Sequence, residues 1–272
     1  MSASRSLFRV TVAGVELAVQ VRGDGIPPVL FIHGFPFDHT LWRHQIAALS
    51  RWHRIAPDLR GAGTSSVPGS SDGYSVGQYA ADLLALLDAL DISQVVVCGQ
   101  SMGGYIIFEL FRRAPKRIRA AILCSTKAPA DSAEAKRDRD VMAALAQRDG
   151  ARAVAEQLVP KLLSRATLEQ QPQVVKEVRA MIERAPVAGI VGALRALRDR
   201  PDSTPLLGEI RVPVLVVAGD DDQIAPAAGM QEMARAIPGA RFALITGAGH
   251  VAPLEQPLPL SGALGDFLTE LS

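Results

Sequence analysis

Two hydrophobic periods alternate along this 272-residue chain, and the places where one gives way to the other outline its elements. Residues 8–13 and Val15–Arg22 are short β-rich runs, with Gly14 between them as a hairpin turn. Residues 29–33 are continuously apolar, the pattern of a strand buried on both faces. Residues 41–49 fit a helix and residues 53–57 another short strand. Over residues 76–90, Ala80, Leu83, Leu84 and Leu87 fall on one helical face. A strand at 95–98, a helix over Met102–Arg113 and a strand at 120–124 follow. Strands alternating with helices predict an α/β fold, a mostly parallel sheet flanked by helices.

The alternation stops at Pro129. From there to about Arg200 no strand-like run occurs; four amphipathic stretches, 132–147, 151–163, 167–183 and 187–198, are punctuated by Gly150, Pro160, Pro172 and Pro186. Strands and helices then resume with 214–218, a helix near Ala227–Ala236, the strand Arg241–Ile245 and a last helix after Pro257. A long block of helices between two sheet strands, with a clean strand at its return point, reads as a lid rather than as extra sheet-covering helices. The expected division is a core of residues 1–128 and 205–272 with a helical cap over 129–204.

Composition narrows the class of partner. Apolar residues make up 48% and charged residues 21%, ordinary for a soluble globular enzyme. Lys and Arg number 29 against 28 Asp and Glu, with no basic stripe or acidic tail, so nucleic acid is not an expected partner. The longest apolar runs, such as 212–219, fall far short of the ~20 residues of a membrane span. Residues 1–6 are polar and lack the apolar core of a signal peptide, so a cytoplasmic protein is expected. Cys98 and Cys124 end apolar runs and read as buried thiols. No metal or cofactor is expected.

The chemistry centres on Cys98-Gly99-Gln100-Ser101-Met102-Gly103-Gly104, between the 95–98 strand and the Met102–Arg113 helix. In a G-x-S-x-G motif so placed, a sharp strand-to-helix turn lifts the serine hydroxyl above the sheet as a nucleophile. Side chains at 99 or 103 would collide with that turn, and Gly104 lets the helix approach the sheet. The helix N-terminus sets free N–H groups and a positive dipole beside a developing oxyanion. Glycine-rich turns also hold phosphate, but neither a Lys-Ser/Thr pair nor a dinucleotide fingerprint is present. Of five histidines, His250 lies in Gly247-Ala248-Gly249-His250, just after a late strand, where a general base is expected. His33, His39, His44 and His53 sit at strand or helix ends and fit structural roles. Asp220, Asp221 and Asp222 follow the 214–218 strand, and any of the three could orient the histidine. Met102 and Phe35, the latter in the loop His33-Gly34-Phe35-Pro36, are the expected oxyanion-hole N–H donors; Pro36 has none.

With those segments in hand, the chain resembles the α/β-hydrolase superfamily over nearly its whole length. His33-Gly34-Phe35-Pro36, Asp58-Leu59-Arg60-Gly61-Ala62-Gly63-Thr64-Ser65, Gly99 to Gly104, Gly219 to Asp222 and Gly249-His250 occur in the family's order. The nearest likeness is to small soluble carboxylesterases, 3-oxoadipate enol-lactonase-like proteins and cofactor-free perhydrolases. That resemblance implies an eight-stranded sheet, places the acid on Asp222 and puts a helical cap where the insertion lies. It implies a catalytic set of Ser101, Asp222 and His250 acting on a small-molecule ester or lactone. Three activities are compatible with it: a carboxylesterase or lactonase, an enol-lactonase of aromatic catabolism, and a small-molecule receptor or stress regulator that keeps the triad. The Phe35-Pro36 pair matches the perhydrolase loop and implies a side activity forming peracid from acetate and peroxide. Gly34 departs from the serine often found after the histidine in enol-lactonases.

Overall fold

The computed structural model describes residues 7–12, 14–68 and 73–271. The polar stretch 1–6 and Ala13, the expected end of the first strand, lie outside the described residues. Eight strands make one sheet: β1 (Phe8–Val12), β2 (Val15–Arg22), β3 (Val29–Ile32), β4 (Arg54–Pro57), β5 (Val95–Gln100), β6 (Ile118–Cys124), β7 (Val214–Gly219) and β8 (Arg241–Ile245). The helices are α1 (Arg43–Ala48), α2 (Val76–Ala89), α3 (Met102–Arg113), α4 (Ala133–Leu162), α5 (Arg165–Gln170), α6 (Pro172–Glu183), α7 (Val187–Arg198), α8 (Thr204–Leu207), α9 (Ala227–Ala236), α10 (Ala252–Glu255) and α11 (Pro257–Glu270).

The sheet runs β1-β2-β4-β3-β5-β6-β7-β8. β1 and β2 form the antiparallel hairpin around Gly14, whose φ of 79° suits glycine. β2 pairs antiparallel with β4, and every pairing from β4 to β8 is parallel. The mostly parallel sheet expected from the pattern is therefore present, with the eight strands that the resemblance implies. β3, β4, β5 and β7 are buried at every residue, as strands covered on both faces must be. Their aliphatic side chains, with Trp42, Phe31, Phe37 and Phe108, form one continuous core. Each fully buried large apolar side chain contributes about 1.5–3 kcal/mol. Cys98 and Cys124 are buried free thiols within that core.

Local differences from the expected elements have simple causes. The helix expected over 41–49 opens instead as a 3-10 turn at His39–Trp42, because the Asp38 carboxylate accepts the Thr40 N–H and caps it early. The two stretches 132–147 and 151–163 join as α4, bent at Gly150, which takes φ 80°. The stretch 167–183 divides into α5 and α6, since Pro172 lacks the N–H needed to continue the first helix and begins the second.

Helices α4 to α8 fill the chain between β6 and β7, with α4 packed on α6 and α7. α7 meets the sheet side through two glycines. A Cβ on Gly189 would overlap the Gly61 carbonyl oxygen, and one on Gly192 would overlap the Tyr74 ring. Arg184 pairs with Asp38 at 2.7 Å, and Arg43 of α1 pairs with Glu177 of α6. Among the described residues no helix is long and apolar enough to cross a membrane.

Gly189→Ala should lower the urea midpoint by an amount equivalent to about 1–3 kcal/mol, the usual cost of overpacking. Gly262→Ala in α11, where a new methyl meets open space, should be neutral or stabilising. Equal effects at the two sites would contradict this account of the α7 contact.

Candidate active site

Ser101 sits between the last residue of β5 and the first of α3, at φ 51° and ψ −111°. That is a strained conformation for a residue with a side chain. Crowding explains why the neighbours are glycines. A Cβ at Gly99 would strike the Gly103 backbone, one at Gly103 the Ile32 carbonyl of β3, and one at Gly104 the Thr126 side chain. The turn is also tied down: the Ser101 N–H donates to Cys124 O at 2.9 Å, and the Thr126 hydroxyl donates to Ser101 O at 2.7 Å.

His250 Nε2 lies 2.9 Å from Ser101 Oγ, and its Nδ1 lies 2.9 and 3.0 Å from the two Asp222 carboxylate oxygens. A carboxylate only accepts, so Nδ1 carries the proton and Nε2 accepts the Ser101 hydroxyl. Both His250 and Asp222 are buried. Burial alone would raise the Asp222 pKa; His250 and the N–H groups of Ala225 and Ile224 outweigh it and hold the carboxyl below its usual range. The other two aspartates are engaged elsewhere. Asp220 accepts the Gly247 N–H, and Asp221 accepts the Arg165 N–H at the start of α5.

Met102 is the first residue of α3, so its N–H has no intrahelical acceptor. Phe35 lies opposite it in the loop after β3, and both line a small cavity with Gly34 and Pro36. His33 holds that loop: its Nδ1–H donates to Gly34 O at 2.9 Å and its Nε2 accepts the Leu59 N–H at 3.0 Å. Burial lowers the His33 pKa, as suits a neutral ring bonded in this way. The structure thus brings Ser101, His250 and Asp222 into one hydrogen-bonded line, with Phe35 and Met102 beside the serine.

Two buried residues that sequence reasoning passed over hold the histidine. Glu255 accepts the N–H groups of Gly249 and Val251, both at 3.0 Å, and that of Ser164 at 2.7 Å. Gln100 donates from Nε2 to His250 O at 2.8 Å, while the His250 N–H donates to Leu162 O at 2.8 Å. The His250 loop is therefore pinned to β5 on one side and to the α4–α5 junction on the other. A lone glutamate five residues past a histidine carries no periodic signal; only its burial reveals it.

Beside the site, Asp58 accepts the His39 and Thr64 N–H groups and lies 2.6 Å from His39 Nδ1. Asp38, His39 and Asp58 are near enough to share a metal ion. Their ligand atoms are already committed: Asp38 accepts from Thr40 and Arg184, and Asp58 from His39 and Thr64. The group therefore reads as a protein-satisfied hydrogen-bond cluster.

A cavity of about 60 Å³ opens on Ser101 and His250, walled by Phe35, Leu158, Leu162, Leu197 and Ile224, with Tyr105, Lys127, Asp131 and Arg139 also facing it.

Residues 27–257 match the family model described as alpha/beta hydrolase fold. The chain belongs to the alpha/beta hydrolase fold family. A thermophilic esterase from Thermogutta terrifontis, solved with malate bound, is 38% identical with a TM-score of 0.91, over 97% of both chains. The enol-lactonase from Burkholderia xenovorans is 31% identical with a TM-score of 0.88, over 96% of this chain and 99% of the other. 3-Oxoadipate enol-lactonase 2 of Acinetobacter baylyi is 29% identical over 261 residues, 94% of this chain and 95% of that protein. A putative non-heme bromoperoxidase of Mycobacterium tuberculosis is 30% identical over 265 residues.

In this alpha/beta hydrolase chain the His39–Asp58 pair gives a pH-dependent contribution to stability. Burial disfavours the charged His39 ring, but the bond to Asp58 and its charge outweigh that and raise the pKa. A raised folded-state value stabilises fully below about pH 6.5, the unfolded value, and the contribution fades as pH rises through the folded one. Asp58 itself is held low and stays ionised throughout. His39→Gln should cost more stability at pH 5.5 than at pH 9 in urea titrations. Equal losses at both would contradict the pairing.

Proposed function

We propose that this chain is a serine hydrolase that cleaves carboxylic esters or lactones of small molecules through Ser101, His250 and Asp222. The observation that carries this reading is the unbroken line from the Asp222 carboxylate through His250 to Ser101 Oγ. Ser101 Oγ attacks the carbonyl carbon as its proton passes to His250 Nε2, and Asp222 stabilises the imidazolium. The carbonyl oxygen, now negative, accepts from the Phe35 and Met102 N–H groups. Collapse of the tetrahedral intermediate breaks the bond to the leaving alkoxide, which takes the proton from His250 and leaves an acyl-Ser101. Water then attacks, its proton going to His250; the second collapse frees the acid and returns the proton to Ser101. On this reading residues 129–204 act as a cap over a core of 1–128 and 205–272, with Leu158, Leu162 and Leu197 supplying an apolar roof.

Similarity to enol-lactonases supports a second reading, in which the leaving group stays tethered to the acyl chain. Gly34, where enol-lactonases often carry serine, counts against it. A side chain at 34 would overlap the buried Gln100 amide, so Gly34 and Gln100 are fitted to each other in this chain.

With 4-nitrophenyl acetate, Ser101→Ala should reduce turnover to background. Asp222→Asn should cost about 10⁴-fold in kcat, as loss of the orienting acid does in other triads. Asp220→Asn and Asp221→Asn each keep an oxygen that can accept the same backbone N–H and lose only its charge, so each should cost under about tenfold. A loss at Asp220 or Asp221 matching that at Asp222 would overturn the assignment.

A further inference from the structure

The cavity in front of Ser101 is not uniformly apolar. The loop after β6 and the start of α4 bring Lys127, Asp131 and Arg139 to its wall, with Arg200 packed behind them. Asp131 is the one carboxylate in this group and is already shared. It lies 2.6 Å from Arg200 Nη1 and 3.1 Å from Arg139 Nε. Arg200 is itself buried, with its guanidinium 4.2 Å from the centre of the Tyr105 ring. Asp222 is committed to His250 and to the N–H groups of Ile224 and Ala225. Three cations thus face one shared carboxylate at the wall of a cavity whose remaining lining, apart from Ser101 and His250, is aliphatic and aromatic.

Among the described residues Lys127 forms no ion pair or hydrogen bond, although its side chain borders the cavity. Partial burial, followed by the charge of Arg200, holds its ammonium below the ordinary lysine value, with Asp131 pulling the other way. An anion placed beside it would relieve both effects. Lys127 also borders a larger, mainly apolar cavity of about 420 Å³ formed with Leu207, Met230 and Met233. Its stem is therefore free to swing without breaking an existing bond.

We propose that the ester or lactone taken by this site carries a free carboxylate, bound by Lys127 with Arg139 while its carbonyl lies at Ser101. The inference rests on the serine-hydrolase reading and narrows it to an anionic substrate class. Lys127 supplies an unpaired ammonium. Arg139 keeps guanidinium N–H groups beyond the single contact from its Nε to Asp131. Lys127 is exposed and Arg139 half-buried, so solvent and salt screen their attraction for an anion. Neither residue touches the reacting atoms; both determine specificity.

The test compares two matched pairs of substrates. One pair places the charge on the acyl side, mono-4-nitrophenyl glutarate against 4-nitrophenyl pentanoate. The other places it on the alcohol side, 4-acetoxybenzoate against its methyl ester. In at least one pair the carboxylated member should be favoured in kcat/KM by about tenfold, the worth of one charge-assisted hydrogen bond. Lys127→Met should erase that preference through KM and leave the neutral member within about twofold, and Lys127→Glu should reverse it. The preference should shrink as salt rises. Among the described residues Lys127 has no bonded partner, so these variants should keep the wild-type urea midpoint. Neutral esters turned over through Ser101 with no preference in either pair would overturn this inference alone. A preference that survives Lys127→Met would also overturn it. Turnover that persists in Ser101→Ala would overturn the underlying reading and this inference with it.

Discussion

The crowding around one turn governs the rest of the site. Where β5 runs into α3, the Gly103 backbone, the Ile32 carbonyl and the Thr126 side chain occupy the space that side chains at 99, 103 and 104 would need. Close approach of helix and sheet forces the chain to reverse within one residue. That residue is Ser101, held at positive φ with its N–H tied to β6. The same closeness sets the Met102 N–H at the head of α3, beside the loop after β3 that presents Phe35. The positions of Ser101 Oγ and of the Phe35 and Met102 N–H groups, the nucleophile and oxyanion donors of the proposed reading, are thus consequences of one packing constraint.

The second requirement is a histidine that cannot drift. Its ring is held by Asp222, but its backbone is held independently: Leu162 accepts its N–H, Gln100 donates to its carbonyl, and buried Glu255 binds the residues on either side. Because Glu255 also accepts the Ser164 N–H, the α4–α5 junction and the His250 loop share one carboxylate. The helices between β6 and β7 therefore do more than roof the cavity. They supply part of the frame that aims the imidazole, and through Arg139 they bring positive charge to its mouth.

Legibility in the sequence followed the strength of local signals. Fully buried parallel strands leave continuous apolar runs, so β3, β5 and β7 were readable to within two residues, and Gly99, Gly103 and Gly104 announced the Ser101 turn. Residues whose role depends on distant packing were silent. Glu255 and Gln100 look like ordinary polar residues, and only burial shows that each bonds the histidine loop. The three neighbouring aspartates could not be told apart by spacing, because their partners lie far along the chain, Gly247 and His250 in the loop after β8 and Arg165 at the start of α5. The break between α5 and α6 was obscured because apolar periodicity carries on past Pro172. The charged wall of the cavity was invisible for a similar reason, since Lys127, Arg139 and Arg200 converge only when α4 and α7 fold over β6.

On the proposed reading Ser101 is the activated nucleophile, made so by its contact with His250. Intact-mass and peptide mapping after exposure to a fluorophosphonate tests it most directly. One adduct per chain, located on Ser101 and formed far more slowly when His250 is replaced by alanine, is the result expected. An adduct on another residue, or a Ser101 adduct formed equally fast without His250, would contradict it.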